Sequence, residues 1–204
     1  MASETAYRKE LREKILRTSM REFRRKGIRQ VKMDDVASML SISKRTLYEL
    51  FKDKESLLLE GVRMQYKEEE RSMAKLADRS DITVMDFIIE FYHWRTKRLA
   101  DVNPVFFEDL PRFKAVLAYI EERHRHDQGG AQTFFRKGVE DGYFRKDVDF
   151  DIVGKVADAA MQRVMEMKMY QEYGLNHLFR NIMFLFLRGF CTAKGLEVLD
   201  KKLK

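Results

Sequence analysis

A chain of 204 residues, 45% of them hydrophobic, can bury one sizeable domain or a small domain joined to a larger one, which excludes a disordered protein. No run approaches 18 uncharged apolar residues, MASETAYRKEL lacks a signal-peptide core, and Cys191 stands alone. The sequence therefore reads as a cytoplasmic protein with no membrane span, no internal disulfide and no cysteine-based zinc site.

The net charge of +7 is segregated. Residues 1–54 hold 15 Lys/Arg against 8 Asp/Glu, whereas residues 55–204 hold 25 of each, so a polyanion is expected to meet the first quarter. Ten glycines and two prolines leave long runs rich in Leu, Lys, Glu, Arg and Met, which favour an all-α chain.

The first helix is predicted from about residue 6 to residue 26. Leu11, Ile15, Ser19 and Phe23 recur every four residues with Leu16 and Met20 beside them, making one inward stripe. Gly27 is placed to end it with a positive φ. VKMDDVASML then gives a two-turn helix with Val36, Ala37 and Leu40 inward. SIS makes a tight turn, Ser43 caps a third helix over KRTLYELF, and Asp53 caps a fourth beginning at Lys54. The second and third helices, over about 32–51, have helix-turn-helix proportions.

On the third helix, Leu47 and Phe51 lie four apart and pack inward, while Lys44, Arg45, Thr46 and Tyr48 lie on the outer side near its start. A recognition helix enters a major groove in this way, its first turn meeting base edges while Lys and Arg meet phosphates. Lys54 adds an ammonium to a helix start whose free N–H groups favour an anion.

Residues 10 to about 60, through IL…F…KG…V.MDDVA..L.ISKRTLYELFKDKESLL, closely resemble the DNA-binding domain of the tetracycline-repressor (TetR) family. The resemblance implies that Ser43, Lys44, Arg45, Thr46 and Tyr48 contact double-stranded DNA and that Lys54 binds a phosphate. It implies an all-α homodimer, with a small N-terminal DNA-binding domain (1–54) and a larger C-terminal ligand-binding and dimerisation domain (55–204). Three positions depart from the family pattern. Ser41 stands where Gly is frequent, so a positive φ there would cost strain. Lys32 replaces the usual capping Thr, leaving Asp34 or Asp35 to satisfy the helix start. Leu50 replaces a phosphate-contacting His, and the preceding Glu49 either reads a cytosine amino group or repels phosphate.

From Lys54 a long helix is expected to about residue 78. TVMDFIIEFYHWRTKRLA gives another, stopping before Asn103-Pro104. VFFEDL is a short segment, residues 113–142 form one long helix or two, and DVDFDIVGKVADAAMQRVMEMKMY and LNHLFRNIMFLFLRGFCTAK form the last two helices. The tail LEVLDKKLK reads as frayed or short. The final helix is apolar nearly all round, and Ala157, Ala159 and Ala160 permit close approach by the helix before it. A two-fold partner would cover this pair, placing Ala157, Ala160, Ile182, Phe186 and Phe190 in a dimer interface, where the family dimerises by resemblance.

The candidates for a pocket taking a small hydrophobic or amphipathic effector are Phe87, Phe91, Trp94, Phe106, Phe107, Tyr119, Met161 and Met165. Such residues at helical spacing also serve as ordinary core. His124 and His126 are two apart and cannot grip one ion from a single helix, and His93 and His177 are isolated. HExxH, GxSxG and a phosphate-cradling glycine loop are all missing. The sequence thus reads as a ligand-responsive repressor of a palindromic operator, not an enzyme, with no metal and no cofactor. The alternative is a ligand-binding helical dimer whose head makes only non-specific DNA or protein contacts.

Overall fold

The computed structural model describes residues 2–79, 81–126 and 128–203. The first four helices are α1 (Ala2–Lys26), α2 (Met33–Met39), α3 (Lys44–Leu50) and α4 (Lys54–Ala77). They are followed by α5 (Val84–Ala100), α6 (Val105–Asp109) and a 3₁₀ turn at Leu110–Arg112. Next come α7 (Lys114–His126), α8 (Gln128–Glu140), α9 (Phe150–Glu166), α10 (Tyr170–Tyr173), α11 (Leu175–Phe190) and α12 (Ala193–Lys202). The segment expected as one helix or two is helical on both sides of residue 127.

The contacts fall into two compact units, Met1–Ser72 with Asp101–Arg123, and Met73–Ala100 with His124–Lys204. α4 begins at Lys54, the expected division, yet residues 55–72 fall in the first unit, as do α6 and most of α7.

In the first unit the stripe of α1 is the floor. Ile15, Ser19, Met20 and Phe23 are buried, with Val36 and Ala37 of α2, Leu47 and Phe51 around α3, and Leu57 and Leu58 of α4. Gly27 closes α1 at φ +90, donating its N–H to the Phe23 carbonyl. A side chain there would also strike Val105 of α6, since an added Cβ would lie 2.7 Å from its Cγ1. α6 is therefore seated directly against the end of α1, where the Asn103 N–H also bonds the Arg24 carbonyl at 2.8 Å.

In the second unit Val84, Met85 and Ile88 of α5 pack with Leu187 and Phe190 of α11, Cys191 and Leu199. The Phe135, Phe144, Phe150 and Phe190 rings interlock, Phe135 and Phe150 stacking at 4.5 Å. The tail is not frayed. Thr192 caps α12 by accepting the Gly195 N–H, and Leu199 is buried in the core, so an i, i+3, i+7 set (Leu196, Leu199, Leu203) docks this last helix. Burial pushes the Cys191 thiol up to about 11, which keeps it protonated and inert.

Candidate nucleic-acid interface

The recognition segment is fixed at both ends. Ile42 donates to the Ala37 carbonyl and Ser41 to that of Ser38, which forces Ser41 to φ +53, the left-handed conformation a glycine would adopt freely. At the start of α2 the two candidate aspartates divide the work. Asp35 accepts the Lys32 N–H at 2.8 Å, and Asp34 turns outward to Lys44. Ser43 caps α3 in extended geometry, its hydroxyl accepting the Thr46 N–H at 3.0 Å and pairing with the Thr46 hydroxyl at 2.8 Å. At the far end Arg12 of α1 donates to the Leu50 carbonyl, lies 4.6 Å over the Phe51 ring and pairs with Glu60 of α4. Sequence reasoning missed Arg12, whose role depends on three elements meeting.

With Leu47 and Phe51 in the core, the opposite face of α3 is open to solvent. Tyr48 is 49% exposed, and Lys44 and Arg45 are exposed beside it. Neither cation is idle. Lys44 Nζ donates to Asp34 at 2.5 Å, and that hydrogen bond raises the ammonium above its ordinary pKa, so it stays charged. Arg45 Nε donates to Glu49 Oε1 at 2.9 Å. Leu50 is half-buried, so its side chain packs where a histidine would have offered a donor.

Asp53 caps α4, accepting the Ser56 N–H at 2.8 Å, and this holds its carboxyl below the ordinary range. Lys54 folds back. Its ammonium donates to the carbonyls of Ile28 at 3.1 Å and Arg29 at 3.3 Å, and burial lowers its pKa against the raising influence of Asp109 and Asp35. Asp109 of α6 is itself buried and accepts the Arg29 N–H at 2.8 Å. The turn after α1 is thus held by a lysine on its carbonyls and an aspartate on its N–H. Nothing local in the sequence marks Asp109, which lies 80 residues from its partner.

Residues 15–60 match the family model described as bacterial regulatory proteins, tetR family. That segment carries the signature of the TetR family's DNA-binding domain. Over 151 residues the chain is 27% identical to the HTH-type transcriptional repressor KstR2 of Mycobacterium tuberculosis, covering 70% of this chain and 73% of that protein. The solved structure of KstR2 superposes with a TM-score of 0.59 at 20% identity, covering 89% of this chain and 95% of that one. A TetR-family regulator from Agrobacterium tumefaciens shares the fold with a TM-score of 0.71 at 16% identity, covering 91% of this chain and all of that one. A Saccharomonospora viridis regulator solved in complex with choline does so with a TM-score of 0.61 at 21% identity, covering 90% and 99%. With this N-terminal segment the chain is a DNA-binding transcriptional regulator of all-α organisation. Among its described residues no helix is long and apolar enough to cross a membrane.

The pocket candidates do not form one set. Phe106, Phe107 and Tyr119 lie in the first unit, Phe106 buried with Phe107 edge-on at 5.3 Å, and Tyr119 against Tyr66 and Arg63. Phe87, Phe91, Trp94, Met161 and Met165 lie in the second unit, all half-buried; Phe87 packs on Phe134, and Phe91 stacks on Trp94. An open cleft of about 460 Å³ in the second unit is lined by none of the eight but by Arg180, Phe184, Arg188, Leu199, Asp200 and Leu203. His93 and His177 are exposed, and the side chains of His124 and His126 lie outside the described residues.

The interface candidates are also divided. Phe190 is only 5% exposed and packs edge-on against Phe135, Phe144 and Phe150, so it belongs to the core and not to a dimer surface. Phe186 leans on the same core, and Ala157, Ala160 and Ile182 are half-buried. Within α9 and α11 the large apolar side chains left to solvent are Ile152, Val156 and Leu185, exposed by 57%, 51% and 71%, with Met167 just beyond α9 exposed by 58%.

Proposed function

We propose that this regulator is a cytoplasmic homodimeric repressor, with no enzymatic role, that reads a near-palindromic operator through α3 and releases it when a small hydrophobic or amphipathic molecule binds the C-terminal unit. The observation that carries the reading is the two-sidedness of α3. Leu47 has no exposed surface and Phe51 almost none, while Tyr48 and Arg45 stand in solvent beside a capped helix start. Such a helix is held by one face and reaches a groove with the other. Ser43, Lys44, Thr46, Tyr48 and Arg45 supply the contacts. Lys54 reaches a phosphate only after leaving the carbonyls of Ile28 and Arg29.

Repression is supported by the KstR2 relative, itself named a repressor, and an effector by the neighbour solved with choline. Phe87, Phe91, Trp94, Met161 and Met165 line the effector site in this reading. Dimerisation rests on Ile152, Val156 and Leu185, which offer α9 and α11 an apolar surface whose natural cover is its own two-fold copy. Two heads held at a fixed separation then require half-sites about one helical turn, or a multiple, apart, and an effector acts by favouring a dimer geometry with another separation.

The test is operator binding by Tyr48→Ala, a change at an exposed position that leaves the fold and the dimer intact. Loss of binding to a duplex selected by the parent supports the assignment. Parental binding by this variant refutes it.

A further inference from the structure

Glu49 is the residue whose role the sequence left open between reading cytosine and repelling phosphate, and its geometry supports neither. Its carboxylate is engaged by Arg45, one helical turn earlier, through the Nε–H at 2.9 Å. Both residues are on the solvent side of α3, with Arg45 89% and Glu49 50% exposed as side chains, opposite the buried Leu47 and Phe51. The point of attachment matters. A guanidinium presents five N–H donors in a rigid planar fork. With Nε engaged by Glu49, the N–H bonds that project in parallel from the two terminal nitrogens remain as a second donor edge. That edge matches the O6 and N7 acceptors of guanine in the major groove, the commonest specific contact arginine makes.

The electrostatics favour a base over a phosphate. A lone guanidinium at the DNA surface is attracted to any phosphate, whereas one paired with a carboxylate presents little net charge and retains directional donors. The same economy runs through the head, since Lys44 is paired with Asp34 and Lys54 is lodged on two backbone carbonyls. Cations already engaged contribute less to sequence-blind attraction and leave discrimination to geometry. The pair is exposed and so only weakly held, and it biases the arginine's direction without locking it.

We propose that Arg45 reads one guanine in each operator half-site and that Glu49 is the positioning residue that aims it. The proposal rests on the reading of α3 as the recognition helix.

The experiment selects binding sites from randomised duplexes with the full chain, comparing the parent with Arg45→Ala, Glu49→Ala and Glu49→Gln. Both positions face solvent, and helical content and dimerisation of each variant are checked first. The parent is expected to select a guanine at one fixed place in each half-site. Arg45→Ala should lose roughly tenfold or more of the preference there while keeping it elsewhere. Glu49→Ala should blur the preference at the same place severalfold and bind random duplexes more tightly. Glu49→Gln loses the same charge but keeps an acceptor for Nε, so it should restore most of the guanine preference. That rescue separates aiming from a mere change of charge. If the parent selects no consensus, the operator-reading function itself fails. If the parent selects a consensus but Arg45→Ala leaves every position unchanged, this inference alone is overturned. It is overturned equally if the two Glu49 variants behave alike at the guanine.

Discussion

Removing the Asp109 carboxylate tests how the first unit is tied together. Asp109 is 5% exposed and accepts the Arg29 N–H at 2.8 Å, one of the bonds seating α6 on the turn after α1. A hydrogen bond from an amide to a charged acceptor contributes about 1.5–3 kcal/mol when the partner would otherwise be left unsatisfied. Arg29 lies at the surface, so water entering the vacated space offsets part of the loss, placing Asp109→Ala near the lower end, at about 1.5–2 kcal/mol. For a chain of this length that lowers the melting temperature by roughly 3–8 °C. Asp109→Asn keeps an acceptor oxygen at the same place and gives up only the charge that Lys54 senses, so it should cost less than half as much. Thermal unfolding followed by helical circular dichroism ranks the three proteins. An alanine variant within about 0.5 kcal/mol of the parent, or an asparagine variant as unstable as the alanine one, refutes the reasoning.

Ser41→Gly should stabilise the protein by up to about 1 kcal/mol, because Ser41 holds φ +53 in the turn; urea unfolding that shows a loss instead would count against strain at that position. Acid should destabilise the fold in a defined window. Hydrogen bonds from Arg25 and Lys26 lower the Glu22 carboxyl to about 2, and those from Lys202 and Thr83 lower Asp86 to about 2. A depressed carboxylate stabilises fully above its unfolded pKa and loses that contribution as pH falls to its folded one, so urea midpoints should fall between about pH 4.5 and 2. Glu22→Gln should flatten this dependence, and an unchanged profile would contradict it. Leu185→Lys and Val156→Lys, at positions 71% and 51% exposed, should give folded monomers in sedimentation at micromolar concentration, whereas Phe190→Lys should unfold the second unit; a dimer surviving both exposed changes would place the interface elsewhere.

Features set by neighbours along the chain were legible before any fold was available. The stripe through Ile15, Ser19 and Phe23, the stop at Gly27, the caps at Ser43 and Asp53, and the two faces of α3 all depend on residues within one or two turns of each other. Strain at Ser41 was legible for the same reason. What escaped was decided over long range. Asp109 meets a partner 80 residues away, and Arg12 clamps an α3 carbonyl 38 residues on. On α11 the apolar side chains run nearly all round, so sequence could not say that Phe190 turns inward and Leu185 outward. Aromatic residues in α5, α6 and α7 share a composition but fall into two separate units. The last helix was overlooked because its cap, Thr192, was read as part of the preceding helix.

The measurement that bears most directly on the central claim is a pair of equilibrium titrations of the full chain at about 0.15 M salt, one with the best duplex from selection and one with the same bases shuffled. Recognition by the exposed face of α3 predicts that the selected duplex binds roughly a thousandfold or more tightly than the shuffled one. Equal affinities that fall together as salt rises would mean the head holds DNA by charge alone, contradicting the account.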